Sequence, residues 1–439
     1  MNALQTDDFI IEGGKKLSGS IDVNTSKNGA LHLMCTTLLN KGVSTLHGIP
    51  RIAEIDRMCE VFDSIGVTTE WVKKNSLKIA PPKKIRMEKI DSAAAGRMRS
   101  TIMLIGSLMH YLPEFKIPHA GGCKMGERTI AAHRFGLEPF GVKIKTLNNA
   151  YLITCKKPKP AEVTLYEASD TGTTNLLRAA ALQTKPSTLH FATQNYMVQD
   201  VIGYLRACGV TIEQVGPATL QVTGVSEINQ DIEYWNSEDP IEAMAFITLG
   251  LMTNSTLTIR CCPIDFLRLE LLKLKKMKAT FTLSHEYESK NGFTKLVDIT
   301  VKPSKLKALH DKIHPLPYPG INVDNLPFFV PLAALAEGRT LIHDWMWENR
   351  AIYFTYLNQL GAEVTLADPH RVLIDGVTKL RSNQIVCPPA LRPSMIIMVA
   401  MLAAEGTSVL RNVYSIKRGY EDLPKRLRKI GAQVKVLKK

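Results

Sequence analysis

The sequence predicts an α/β (α+β) protein of two domains, built from one supersecondary unit used six times. Three observations predict it. An amphipathic helix, then glycine and an apolar residue, then a short alternating strand recurs along the chain. A second phrase, a helix of small and apolar residues followed by a turn and a β-rich strand, interleaves with the first. The length of 439 residues exceeds one ordinary domain, so two domains of three units each accommodate the copies.

The first phrase runs Ile55–Ile65 into Gly66-Val67-Thr68, Thr129–Phe140 into Gly141-Val142-Lys143, and Gln199–Cys208 into Gly209-Val210-Thr211. It returns as Asn349–Leu360 into Gly361-Ala362-Glu363 and Tyr420–Ile430 into Gly431-Ala432-Gln433. A degenerate fourth copy, Asp265–Met277 into Ala279-Thr280-Phe281, carries Lys278 at the glycine position. In each, a helix ends, glycine supplies its C-terminal cap and a strand begins. Copies of the second phrase begin near Asn28, Arg99, Asn175, Glu242, Asn325 and Arg392. Helices apolar all round are buried helices, so these belong inside the domains with sheets packed over them. The polar stretch 234–240 is the expected boundary, and the strand Phe9–Gly13 is expected to pair with the second half. A cleft between two such hinged domains is a favoured ligand site.

Composition narrows the function. With 45% hydrophobic and 22% charged residues the chain reads as a soluble globular protein, and no apolar run reaches membrane-spanning length. The N-terminus has neither the basic start nor the apolar core of a secretory signal, so a cytoplasmic location is expected. Eight scattered cysteines, with no CxxC and no Cys/His pairs at zinc spacing, indicate neither a disulfide framework nor a metal site. A net charge of +14 can mean nucleic acid, an anionic membrane or small anionic substrates, but it is spread along the chain without a helix-turn-helix, RNP or zinc-finger signature and for most of these residues reads as a solvated basic surface.

The segment His119–Arg128 places glycines 121, 122 and 126 around Cys123, with Lys124 and Arg128 close by. Positive charge favours a thiolate, which suits proton transfer or nucleophilic work; an ordinary turn that holds a thiol is the alternative. The starts of the buried helices carry residues that core formation does not need: Lys27-Asn28, Arg97-Met98-Arg99, Ser169–Thr173, Asp324 and Arg392. Arg350 and Arg418 fall at matching junctions. Helix N-termini attract anions, and several of them with added cations in one cleft would form an anion-binding centre.

Ser26-Lys27-Asn28-Gly29-Ala30, the Gly121-Gly122-Cys123-x-x-Gly126-x-Arg128 loop, Glu348-Asn349-Arg350 and Arg418-Gly419-Tyr420-Glu421 resemble motifs of the enolpyruvyl transferases, of the EPSP synthase-like superfamily. The resemblance runs nearly end to end. It implies a two-domain inside-out α/β barrel of six βαβαββ-like repeats. Residues 26–237 would form the N-terminal domain with three repeats and the cysteine loop 119–128, and 1–25 plus 238–439 the C-terminal domain with three more. The active site would lie in the interdomain cleft. The implied reaction moves the carboxyvinyl group of phosphoenolpyruvate to the 3′-hydroxyl of UDP-N-acetylglucosamine with release of phosphate, the first committed step of peptidoglycan precursor synthesis.

By the same resemblance Cys123 is the proton donor and the nucleophile alkylated by fosfomycin, and Asp324 faces the sugar hydroxyl as general base or orienting group. Lys27 and Arg418 act in catalysis and, with Asn28, Arg128, Arg350 and Arg392, hold phosphoenolpyruvate. Asn28, Arg99, Arg128, Ser169, Asp170, Thr171, Asp324 and Met346 touch the nucleotide sugar. No metal or organic cofactor, no nucleic acid and no membrane is implied, and the chain is expected to be a monomer or weak homo-oligomer. The sequence also departs from the family pattern. A lysine near the substrate's phosphates becomes Glu167 with Asp170 next door, the Pro-x-Asp after Arg128 becomes Thr129-Ile130-Ala131, Asp-Arg-Ile-Glu becomes Asp239-Pro240-Ile241-Glu242, and the acid before Leu391-Arg392 becomes Ala390. Like charge near a diphosphate costs affinity. A different acceptor, such as UMP or another sugar nucleotide, and a non-catalytic ligand-binding paralogue are therefore the alternatives.

Overall fold

The structure, a computed structural model, describes residues 7–119 and 129–438. Among these, residues 25–119 with 129–237 form one compact unit, and 7–24 with 238–438 form another.

Each unit holds three sheets. In the unit of residues 25–237, strand Ser44–His47 pairs parallel with Ile232–Trp235 and antiparallel with Ser76–Ala80. Ser187–His190 pairs parallel with Glu162–Thr164 and antiparallel with Thr219–Thr223. The third sheet orders Glu114–Pro118, Ala150–Thr154 and Lys143–Thr146. In the other unit, Asp8–Gly13 lies antiparallel between Gly406–Arg411 and Gln433–Leu437. Strands such as Ser44–His47 and Ser187–His190 alternate buried and half-buried positions, so each presents one face to the helices.

Those helices are the small-and-apolar ones. Every residue of Pro240–Met252 is buried, and Leu391–Ala403 is buried up to its last residue. Their starts are set locally. Ser26 accepts from the Gly29 N–H at 3.0 Å to open Lys27–Thr37, and Ser169 accepts from the Gly172 N–H at 3.1 Å to open Asp170–Ala180. Asp239 accepts from the N–H groups of Ile241 and Glu242, while Pro240 fills a position whose missing N–H costs nothing.

The amphipathic helices end as their glycines require, with φ of +91° at Gly66, +88° at Gly209 and +95° at Gly431. Lys278 holds the same left-handed conformation at φ +67°. The fourth repeat therefore keeps the geometry and accepts the strain.

Three elements differ from expectation. The helix expected from Asn325 starts as a 3₁₀ turn, Leu326–Phe328, and becomes α only over Phe329–Leu335, because Pro327 and Pro331 each remove an N–H from the ladder. The segment expected as the helix Asn349–Leu360 is 3₁₀ over Ala351–Leu360, where a run of β-branched and aromatic residues, Ile352 to Tyr356, disfavours α packing. The helix expected from Arg99 is 3₁₀ over Ser100–Leu104 and α over Ile105–Leu108. There the Asn175 amide enters the ladder: its Nδ2 donates to the Ile102 carbonyl at 3.0 Å and its Oδ1 accepts from the Gly106 N–H at 3.1 Å. Those two main-chain groups would otherwise pair in an α-helix.

Candidate active site

In the unit of residues 238–438, Asp324 sits ahead of the Leu326–Phe328 turn, its N–H donating to Asn322 Oδ1 at 2.8 Å. One carboxylate oxygen accepts from Arg392 Nε and Nη2 at 3.3 and 3.2 Å; Arg350 Nη1 stands 3.7 Å from the other. Arg350 is fully buried and held by a two-toothed grip, Nε and Nη2 donating to the two oxygens of buried Asp344 at 2.6 and 2.8 Å. Its Nη2 also donates to the Val323 carbonyl at 2.7 Å, which fixes the backbone next to Asp324. Arg392, in the first turn of Leu391–Ala403, donates Nη1 to the Tyr420 hydroxyl at 3.1 Å. Burial raises the pKa of that hydroxyl, so it stays protonated. Burial also pushes the Asp239 carboxyl up to about 6, against the opposing pull of Arg392. Asp324 is thus an acceptor-only carboxylate flanked by two guanidinium groups. It can take a hydrogen bond from a substrate hydroxyl while the cations draw an oxyanion alongside.

In the unit of residues 25–237, Lys27 Nζ pairs with Glu54 at 3.2 Å, and both side chains are nearly buried. Asn28 donates from Nδ2 to the Tyr196 hydroxyl at 3.0 Å. A second group forms at the start of Asp170–Ala180. Ser169 Oγ and Thr171 Oγ1 stand 3.4 Å apart, and Thr171 Oγ1 lies 3.2 Å from His133 Nε2. Arg99 donates to the Thr129 carbonyl at 2.9 Å, and its charge, with that of Arg178, adds to burial in holding the His133 ring neutral, its pKa pushed down to about 3. Asp170, expected to bring a like charge toward the nucleotide phosphates, instead accepts from Asn195 Nδ2 at 2.9 Å. Burial raises its pKa, with hydrogen bonds from Asn195 and Thr193 opposing the rise. Glu167 is exposed.

Asp324, Arg350 and Arg392 therefore share one cluster, and Ser169, Asp170 and Thr171 share one helix start. Arg418 caps the short helix Tyr414–Lys417 and is half-buried, as is Met346. Cys123 and Arg128 lie outside the described residues. The partners Asp344, Tyr420, Glu54, His133 and Asn175 escape reading from sequence, although Tyr420 stands inside a motif and Asp344 is six residues from Arg350. The described cysteines, 35, 59, 155, 208, 261, 262 and 387, are free, and burial raises the pKa of every one. None of these seven is an activated thiol.

The fold is that of enolpyruvyl transferases. The enolpyruvyl transferase NikO from Streptomyces tendae superposes with a TM-score of 0.85 at 20% identity, over 99% of this chain and 100% of that one. EPSP synthase from Acinetobacter baumannii does so with a TM-score of 0.74 at 18% identity, over 98% and 100%. At the level of sequence, residues 11–427 match the EPSP synthase (3-phosphoshikimate 1-carboxyvinyltransferase) family, and the chain belongs to it. A Bradyrhizobium diazoefficiens protein named UDP-N-acetylglucosamine 1-carboxyvinyltransferase is 31% identical over 434 residues, 97% of each chain. A Treponema denticola protein of the same name is 30% identical over 435 residues, 98% of this chain and 100% of its own. Among the described residues no helix is long and apolar enough to cross a membrane.

Proposed function

We propose that this protein transfers the carboxyvinyl group of phosphoenolpyruvate to the 3′-hydroxyl of UDP-N-acetylglucosamine, releasing phosphate and supplying peptidoglycan synthesis in the cytoplasm. The near end-to-end similarity to proteins bearing that activity's name is the observation that carries the reading. The sugar oxygen bonds to C2 of phosphoenolpyruvate while C3 gains a proton. The hydroxyl proton then leaves, and the C2–O bond to phosphate breaks as the vinyl double bond re-forms through loss of a C3 proton. Asp324 accepts the hydroxyl's hydrogen bond, kept in place by Arg392 and Arg350. Arg392, Arg418, Lys27 and Arg128 neutralise the phosphate and carboxylate, and Arg350 acts through Asp324 because Asp344 already occupies its fork. Asn28, Arg99, Ser169, Thr171 and Met346 contact the nucleotide sugar, and Cys123 exchanges the proton at C3. No step calls on a metal.

Phosphate release from phosphoenolpyruvate, measured with UDP-N-acetylglucosamine, UMP or no acceptor, tests the reading. Release with the sugar nucleotide alone supports it. Release only with another acceptor refutes the substrate assignment, and none in any lane refutes the activity.

A further inference from the structure

The departures at Glu167 and Asp170 remove positive charge from the corner where an anionic nucleotide is expected, and the side chains there point to a replacement. Asn175 cannot flip. Its Oδ1 accepts from the Gly106 N–H at 3.1 Å and from Arg178 Nη1 at 3.3 Å, and its Nδ2 donates to the Ile102 carbonyl at 3.0 Å. An exchanged amide would set donor against donor and acceptor against acceptor. The second Nδ2 hydrogen meets His133 Nδ1 at 2.9 Å, so Nδ1 is the acceptor nitrogen of that ring. His133 is 3% exposed and neutral, hence its one proton sits on Nε2. Nε2 faces Thr171 Oγ1 at 3.2 Å. Thr171 therefore accepts from His133, and its own proton is left for another acceptor. The described alternative, Ser169 Oγ at 3.4 Å, is too long to hold it well.

We infer that Asn175 and His133 position the Thr171 hydroxyl as a hydrogen-bond donor to an anionic oxygen of the nucleotide-sugar substrate. The inference rests on the reaction proposed above. Thr171 is half-buried at the first turn of an eleven-residue helix, where main-chain N–H groups add to the same polarity. Arg99 supplies a cation close enough to act on His133. Thr171 touches substrate; His133 and Asn175 are positioning residues that act through it.

Calorimetric binding of UDP-N-acetylglucosamine to wild type, Thr171→Val and Thr171→Ser tests the proposal. Valine keeps the shape and deletes the hydroxyl; serine restores it. Thr171→Val is expected to weaken binding by roughly tenfold or more, the effect of losing a hydrogen bond to a charged group, and Thr171→Ser to recover most of it. A ¹⁵N–¹H spectrum of labelled wild type should show His133 neutral and protonated at Nε2. Normal wild-type binding with Thr171→Val unchanged, or an Nδ1-protonated ring, overturns this inference and leaves the proposed reaction standing. Failure of the wild type to bind the sugar nucleotide removes both.

Discussion

Asp239 offers a measurable pH signature. Its carboxyl is buried, caps Pro240–Met252, and titrates at about 6 where the ordinary value is 3.8. Burial is the larger cause, partly offset by Arg392. Between pH 4 and pH 6 the native protein keeps a proton that the unfolded chain has released. The contribution is therefore fully present below about pH 4 and lost as pH rises through 6. At about 1.4 kcal/mol per pH unit, a window of roughly two units comes to about 3 kcal/mol. Asparagine caps helices as well as aspartate and carries no charge at any pH in this range, so Asp239→Asn keeps the helix start and deletes the titration. Urea unfolding at pH 4, 5, 6 and 7 reads the difference. Other raised carboxyls, such as those of Glu238 and Glu270, are common to both proteins and cancel. The variant is expected to gain about 3 kcal/mol relative to wild type between pH 4 and pH 7. Parallel stability curves would show that Arg392 and the helix N–H groups cancel the effect of burial, and would refute the reasoning.

Two further outcomes follow from the packing. Fosfomycin or a thiol alkylator at pH 7 is expected to modify wild type once and Cys123→Ser not at all, because burial raises the other seven thiols; mass mapping of a label at any of those seven would remove Cys123 from its role. Gly106→Ala would put a methyl 2.4 Å from the Asn175 carbonyl oxygen and 2.9 Å from Oδ1, so a loss of about 1–3 kcal/mol in thermal or urea unfolding is expected. Wild-type stability there would mean that the Asn175 amide does not occupy that ladder gap.

The sequence made visible what repeats. Glycines after helices, and helices apolar on every face, follow from backbone freedom and burial, which act within a few residues. Lys278 shows the strength of that rule, since a lysine takes the left-handed turn when the repeat demands it. Cations at helix starts were legible because they recur at matching places. Their partners were not. Asn175 fills a break in the ladder some seventy residues upstream, and nothing local in either stretch announces the contact. His133 reads as a core histidine until its two nitrogens are traced. Asp170 reads as a repulsive charge until Asn195 is seen beside it.

Arg350 and Arg178 are both fully buried, and their charges are met in different ways. Arg350 is neutralised by Asp344 at 2.6 and 2.8 Å and contributes geometry more than field. Arg178 is equally buried, but among the described residues no carboxylate pairs with it. Its nitrogens donate to the hydroxyls of Thr36 and Thr174, the carbonyls of His32 and Met103, and Asn175 Oδ1. Neutral acceptors satisfy its hydrogens without cancelling its charge, and burial lowers its pKa only to about 10, so it remains charged. Burial lowers the pKa values of His32 and His133, the Arg178 charge adds to that fall, and it opposes the rise that burial causes at Cys35. In a low-dielectric interior such a field is weakly screened, and it acts on His133, whose Nε2 faces Thr171 at 3.2 Å.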